Sequence, residues 1–138
     1  MTWFISALLS AFFAGLTAIL AKVGVEHVNS NLATAIRTVV ILIFAWAVAL
    51  ATRNHSLSSV SQRTFLFLIL SGLATGASWL CYFRALQIGE ASQVAPVDKL
   101  SVVFVIILSA VFLRESVSWI HWVGAILITS GAILLAYA

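Results

Sequence analysis

Five apolar stretches, each about 20 residues or longer, occupy most of this chain, and that is the length a helix needs to cross the hydrocarbon of a bilayer. They run roughly Trp3–Val23, Leu32–Ala51, Phe65–Ile88, Ala91–Leu113 and Trp119–Tyr137. Membrane strands would be about half as long and would alternate polar with apolar residues. The expected fold is therefore an all-α integral membrane protein, with five transmembrane helices in one compact bundle and residues 1–138 forming a single domain. Composition closes off the soluble alternative. Only 8% of the residues are charged and the mean hydropathy is +1.17, whereas a soluble domain carries about 25% charge on its surface and in its pairs. The lipid bilayer is the primary partner.

The net charge of +3 is spread without a Lys/Arg cluster, so nucleic acid is not an expected partner. No positive segment precedes the first apolar stretch, which reads as a mature helix rather than a signal peptide. The single cysteine, Cys81, has no internal disulfide partner and reads as a small packing residue. His27, His55 and His121 are scattered over loops and helix ends, without metal-ligand spacing. With no glycine-rich phosphate loop and no nucleophile–base pair, the expectation is no enzyme, no metal and no cofactor.

Small residues mark the packing faces. Gly72 and Gly76 form a G-x-x-x-G in the third stretch, where missing side chains let two backbones approach. Ala7, Ala11, Ala14 and Ala18 make a stripe in the first, and Gly124 and Gly131 lie seven apart in the fifth. Trp3, Trp119, Trp122 and Tyr137 fit interfacial belts. Glu115, just before Ser116-Val117-Ser118, is expected to cap or anchor the last helix.

Five crossings put the first and third connections on one side of the membrane and the second and fourth on the other. Lys22 and Arg84 flank the former; Arg53, Arg63 and Arg114 flank the latter. The excess of positive charge places the second and fourth connections in the cytoplasm by a narrow margin. So narrow a bias is also what a chain inserting both ways round, as an antiparallel homodimer, would carry.

Polar groups inside such helices need a partner, a cavity or an escape to the surface. Arg37 and Asp98 each lie six or seven residues into a helix starting on the same side, roughly 10 Å deep at 1.5 Å per residue. The third helix ends there with Tyr82, Phe83 and Arg84, and the first with Lys22. Lys22, Arg37, Tyr82, Asp98 and Lys99 are thus expected to converge on one vestibule, with Trp79 as its floor and Phe83 on its wall. In the stretch QVAPVDKLS, Pro96 frees the carbonyl of Ser92 and is expected to kink the helix. Asp98 would pair with Arg37 or Lys22, or take up a proton, while Lys99 snorkels. The plainer reading makes Asp98 and Arg37 a structural ion pair and the aromatic residues packing.

From Tyr82 onward the residues also carry a resemblance. Ala85-Leu86, then Ala95-Pro96, then Phe112-Leu113-Arg114-Glu115, then Gly124 and Gly131 resemble the second half of an EamA-type domain of the drug/metabolite transporter superfamily. Arg37 resembles the arginine common in the second helix of such domains. Typical members hold two such domains as inverted repeats and export metabolites or drugs across a bacterial inner membrane. One domain alone implies a homodimer, antiparallel as in the related four-helix multidrug transporters. Those relatives use a glutamate in helix one, which this chain lacks, Glu26 lying past the end of that helix. The expected function is a small secondary transporter of a small metabolite or drug-like molecule, working by alternating access. The alternative is a non-transporting membrane subunit whose polar groups serve helix packing or partner binding.

Overall fold

A computed structural model describes residues 2–52 and 60–138. Arg53 and His55 lie outside the described residues. Helices α1 (Trp3–Val25), α2 (Ser30–Ala51) and α3 (Gln62–Ile88) are continuous. The fourth span is divided into α4 (Ala91–Asp98), α5 (Ser101–Leu108) and a π-helical turn (Ser109–Leu113), and α6 (Trp119–Ala136) closes the chain. Five segments are long and apolar enough to cross a membrane, with Ala91–Leu113 counting as one. No strand occurs among the described residues. The protein is an all-helical membrane protein, and the broad exposure of Leu, Ile, Val and Phe along the spans is what contact with lipid tails requires.

Local chemistry sets where the helices start and break. Asn29 begins α2: its Oδ1 accepts the Asn31 N–H at 2.9 Å, satisfying a first-turn donor. At α6 the capping residue is Ser118, not Glu115. The Ser118 N–H donates to His121 Nδ1 at 3.2 Å, and the Ser118 hydroxyl lies 2.8 Å from the same nitrogen. A side chain three residues on thus reaches back to the cap N–H, the logic of a capping box with imidazole in place of Glu. Glu115 instead uses its backbone N–H to close the π-helical turn on Ser109 O at 3.2 Å, after Arg114 has turned into the left-handed region at φ 54°.

The break in the fourth span falls after Pro96 rather than at it. The Lys99 N–H donates to Pro96 O at 3.1 Å and the Leu100 N–H to Val97 O at 3.0 Å. Val102 and Val103 repeat the pattern onto Lys99 and Leu100, each at 3.0 Å. These bonds reach back three residues, not four, so the helix is overwound across Lys99-Leu100. Where a kink at Pro96 was expected, the helix instead tightens its hydrogen-bond step just beyond it, next to Asp98.

The residues form two compact units, Met1–Lys22 with Ile88–Ala138, and Val23–Gln87. In the first, α4 and α5 pack along α6. The buried α6 residues are Ala125 and Ala132, seven apart, with Gly124 and Gly131 half-buried beside them. Only one member of the expected α1 stripe is buried: Ala18 is, together with Ala21, while Ala7, Ala11 and Ala14 are exposed. In the second unit the buried residues are Val25, Ser30, Thr34, Phe83 and Leu86. They occupy the end of α1, the first turns of α2 and the last turns of α3. A Cβ built on Gly72 or Gly76 would meet no atom within 4 Å. The close approach expected of that pair therefore does not occur within the chain, and the notch is open.

Leu86 is fully buried and Leu73, on the same helix, is 66% exposed. Leu86→Ala should cost about 2–5 kcal/mol through the cavity it leaves. Leu73→Ala exchanges one lipid-facing side chain for another. Thermal unfolding in mild detergent should show a marked fall in Tm for Leu86→Ala and almost none for Leu73→Ala.

Candidate functional site

In the unit Val23–Gln87, helical spacing puts Ser30, Thr34 and Arg37 on one face of α2, and Trp79, Phe83 and Leu86 on one face of α3. Thr34 donates its hydroxyl to Ser30 O and Thr38 donates to Thr34 O, both at 2.8 Å, so these polar side chains are satisfied within their own helix. Arg37, one turn deeper than Thr34, is half-buried. Its guanidinium carbon lies 4.5 Å from the centre of the Trp79 ring and 5.3 Å from that of Phe83. The Tyr82 phenol is near enough to interact with it electrostatically. Indole is the strongest ring partner for a cation, and each such contact contributes about 0.5–2 kcal/mol where water is thinned. A cation held by aromatic rings in this way keeps its charge and is not neutralised by them. Among the described residues the Arg37 side chain makes no hydrogen bond, and no polar side-chain atom is fully buried without a partner.

A second set of contacts organises the end of α3. Gln87 Nε2 donates to Val28 O at 2.9 Å and to Val25 O at 3.3 Å. Its Oε1 accepts from Arg84 Nη1 at 2.9 Å. The amide thus satisfies carbonyls at the end of α1 that the helix cannot satisfy itself, while Arg84 fixes which way it points. Gln87 carries no signal of its own in the sequence, where it is one neutral polar residue beside a helix end. Only its two carbonyl partners, about 60 residues away in the chain, make it structural.

In the other unit, Lys22 Nζ donates to Gly89 O at 2.8 Å, tying the last turns of α1 to the turn before α4. Asp98 pairs with its neighbour Lys99, Nζ to Oδ2 at 3.2 Å, rather than with the expected Arg37 or Lys22. The pair is part-exposed, at 37% for Asp98 and 57% for Lys99. Asp98 is the one carboxylate among the chain's four that falls within a membrane span. Cys81, expected in the packing, is exposed. Trp3, Trp119 and Tyr137 are exposed at the helix ends, as interfacial anchors are. Among the described residues no three His, Cys, Asp or Glu side chains gather as metal ligands.

The fold defines a five-span helical membrane protein, and an arginine seven residues inside its second span is the kind of group that marks a candidate functional site. The particular class follows from comparison: residues 1–137 match the EamA-like transporter family, and the chain belongs to that family. A curated relative from a Sinorhizobium species, named an uncharacterized transporter in the cobO 3' region, is 55% identical over 136 residues, covering 98% of this chain and 96% of that protein. An uncharacterized protein of Methanocaldococcus jannaschii is 28% identical over 135 residues, with the same coverage. No solved structure matches. Family and relative make the protein a membrane transporter in the general sense.

Removing the amide of Gln87 strands two carbonyls. Gln87→Leu should lower stability by about 1–3 kcal/mol, the cost of leaving such groups unsatisfied. Gln87→Glu, which keeps the shape but cannot donate, should fail to rescue it. Detergent unfolding curves of the two variants test this.

Proposed function

We propose that the protein is a secondary transporter of small amphipathic anions, binding its substrate at the Arg37 edge with Trp79, Phe83 and Tyr82 around the apolar part. The observation that carries this reading is the setting of Arg37: its guanidinium carbon lies 4.5 Å from the Trp79 ring centre and 5.3 Å from that of Phe83, half-buried inside a span. A guanidinium held in that way matches a carboxylate or phosphate bidentately. Lys22, held by Gly89 O, and Lys99, paired with Asp98, serve the helix ends in this reading. Asp98, as the carboxylate inside a span, is the proposed coupling residue. The chain acts as a transporter and not as an enzyme, in a bacterial inner membrane.

Alternating access needs two halves, and inverted repeats supply them in transporters of this general kind. This chain covers 96% of each curated relative, so the match to both runs over nearly their whole length. A homodimer, with the two copies antiparallel, is the proposed functional unit. The open Gly72/Gly76 notch on α3 is its proposed contact.

Flux of aromatic and aliphatic carboxylates into proteoliposomes, driven by a pH gradient, tests the site. Arg37→Leu should lower transport about tenfold or more, the loss of one charge-assisted hydrogen bond. Arg37→Lys should recover little of it, because an ammonium lacks the planar fork. Asp98→Asn should leave binding in place while removing the response to the gradient. Full flux in Arg37→Leu would rule out this site, and an unaltered pH response in Asp98→Asn would rule out the coupling role.

The dimer is tested separately. Gly72→Leu with Gly76→Leu should fill the notch and shift single-molecule photobleaching in lipid from two steps toward one. Two-step bleaching retained in the double variant would remove this face as the contact.

A further inference from the structure

A cleft of about 460 Å³ opens on α2 and α3, lined by Asn29, Ser30, Asn31, Leu80, Cys81 and Arg84. It is distinct from the Arg37 pair of rings. At 100° per residue, Arg84 points roughly 140° around α3 from Trp79. We infer that this cleft binds a phosphoryl oxyanion at the membrane surface, with the phosphodiester of a bilayer lipid as its occupant.

The lining supports an anion and nothing else with charge. Arg84 is its one charged residue, and no carboxylate contributes. One Arg84 N–H group is held by Gln87 Oε1, which orients the guanidinium and leaves its other donors available. Opposite it stands the start of α2, where a helix presents free N–H groups. Asn29 Oδ1 takes the Asn31 N–H and no other, so the first-turn donors are not exhausted. A second feature points into the cleft independently. Ser30 is only 5% exposed, its hydroxyl makes no hydrogen bond among the described residues, and it lines this cavity. Since no fully buried side-chain polar atom lacks a partner among the described residues, this unbonded hydroxyl is accessible, and the cleft is the cavity that Ser30 lines. Ser30, Asn31 and Arg84 therefore offer convergent donors with no competing acceptor side chain charged against an anion.

The depth matches a lipid phosphate. The 22 residues of α2 span about 33 Å at 1.5 Å per residue, close to the roughly 30 Å hydrocarbon thickness. Its first turn, with Ser30 and Asn31, consequently lies where hydrocarbon gives way to headgroups. Arg84 stands four residues before the end of α3, about 6 Å along its axis, and an arginine reaches that far. Leu80 below it supplies an apolar wall suited to the start of an acyl chain.

Native mass spectrometry of the full chain, released from micelles containing short-chain phosphatidylglycerol, phosphatidylcholine or an uncharged diacylglycerol, tests the assignment. One adduct is expected with either phospholipid and none with diacylglycerol. Arg84→Gln should lower the bound fraction at limiting lipid about tenfold, the effect of losing one charge-assisted hydrogen bond. Ser30→Ala, which removes only a hydroxyl, should lower it by a smaller factor and guards against misfolding of the first variant. N-ethylmaleimide on Cys81, the chain's single cysteine, should block the adduct because it fills the cleft. Titration with inorganic phosphate distinguishes the source: displacement of the lipid means free phosphate also enters, and retention means the lipid tail is needed. Equal adducts in the unmodified chain, Arg84→Gln, Ser30→Ala and the maleimide-treated protein would overturn the proposal.

Discussion

A backbone carbonyl without a donor has no water to turn to inside hydrocarbon, and a chain with 8% charged residues has few side chains to spare for it. The places where helices end or change pitch show how this protein meets that demand. At the end of α1 the amide of Gln87 serves Val25 and Val28 together. The turn before α4 is met by Lys22 on Gly89 O. Where α4 passes into α5, the backbone serves itself by reaching back three residues instead of four. Within the helices, Thr34, Thr38, Thr75, Thr129 and Ser130 return their hydroxyls to carbonyls four residues back. Each solution is local to one unit of the structure.

That constraint also explains why a full charge is tolerated at Arg37. The guanidinium is weakly hydrated and planar, so two aromatic rings can replace part of its water shell where they could not do so for an ammonium. Tyr82 adds a polar atom nearby without adding a countercharge. A carboxylate partner would neutralise the arginine and close its donor edge. The rings hold the charge without neutralising it. The neighbouring pair Asp98–Lys99 behaves differently: adjacent helical residues point about 100° apart, so their contact holds no two helices together.

The number, type and approximate limits of the spans were legible because length and apolarity are one-dimensional properties. That Arg37 falls near the α3 aromatics was legible for the same reason, since it follows from counting residues along helices; that the closest ring is Trp79, expected as a deeper floor, was not. Contact faces were not. Lipid tails are as apolar as Leu, so the pattern of hydrophobic residues does not separate a helix face turned to protein from one turned to lipid. That is why three of the four alanines in the α1 stripe proved exposed, and why Cys81 was misread as packing. Gln87 and the Ser118–His121 cap were missed for another reason. Their roles depend on carbonyls and N–H groups, which every residue carries and no sequence letter marks.

The displaced break in the fourth span shows how a proline acts when its surroundings share the cost. Pro96 lacks one N–H, so one carbonyl upstream loses its usual donor. A rigid helix would kink sharply there. Here the correction is spread over Pro96, Val97, Lys99 and Leu100, whose carbonyls all accept bonds of 3.0–3.1 Å from residues three ahead. The pitch changes across this step. The single in-span carboxylate stands at this change of pitch, paired with a residue on its own helix. The ion pair itself ties this segment to no other helix. A substrate that engaged Asp98 or Lys99 would meet a backbone already wound between two geometries, at a lower cost than unwinding a regular α-helix.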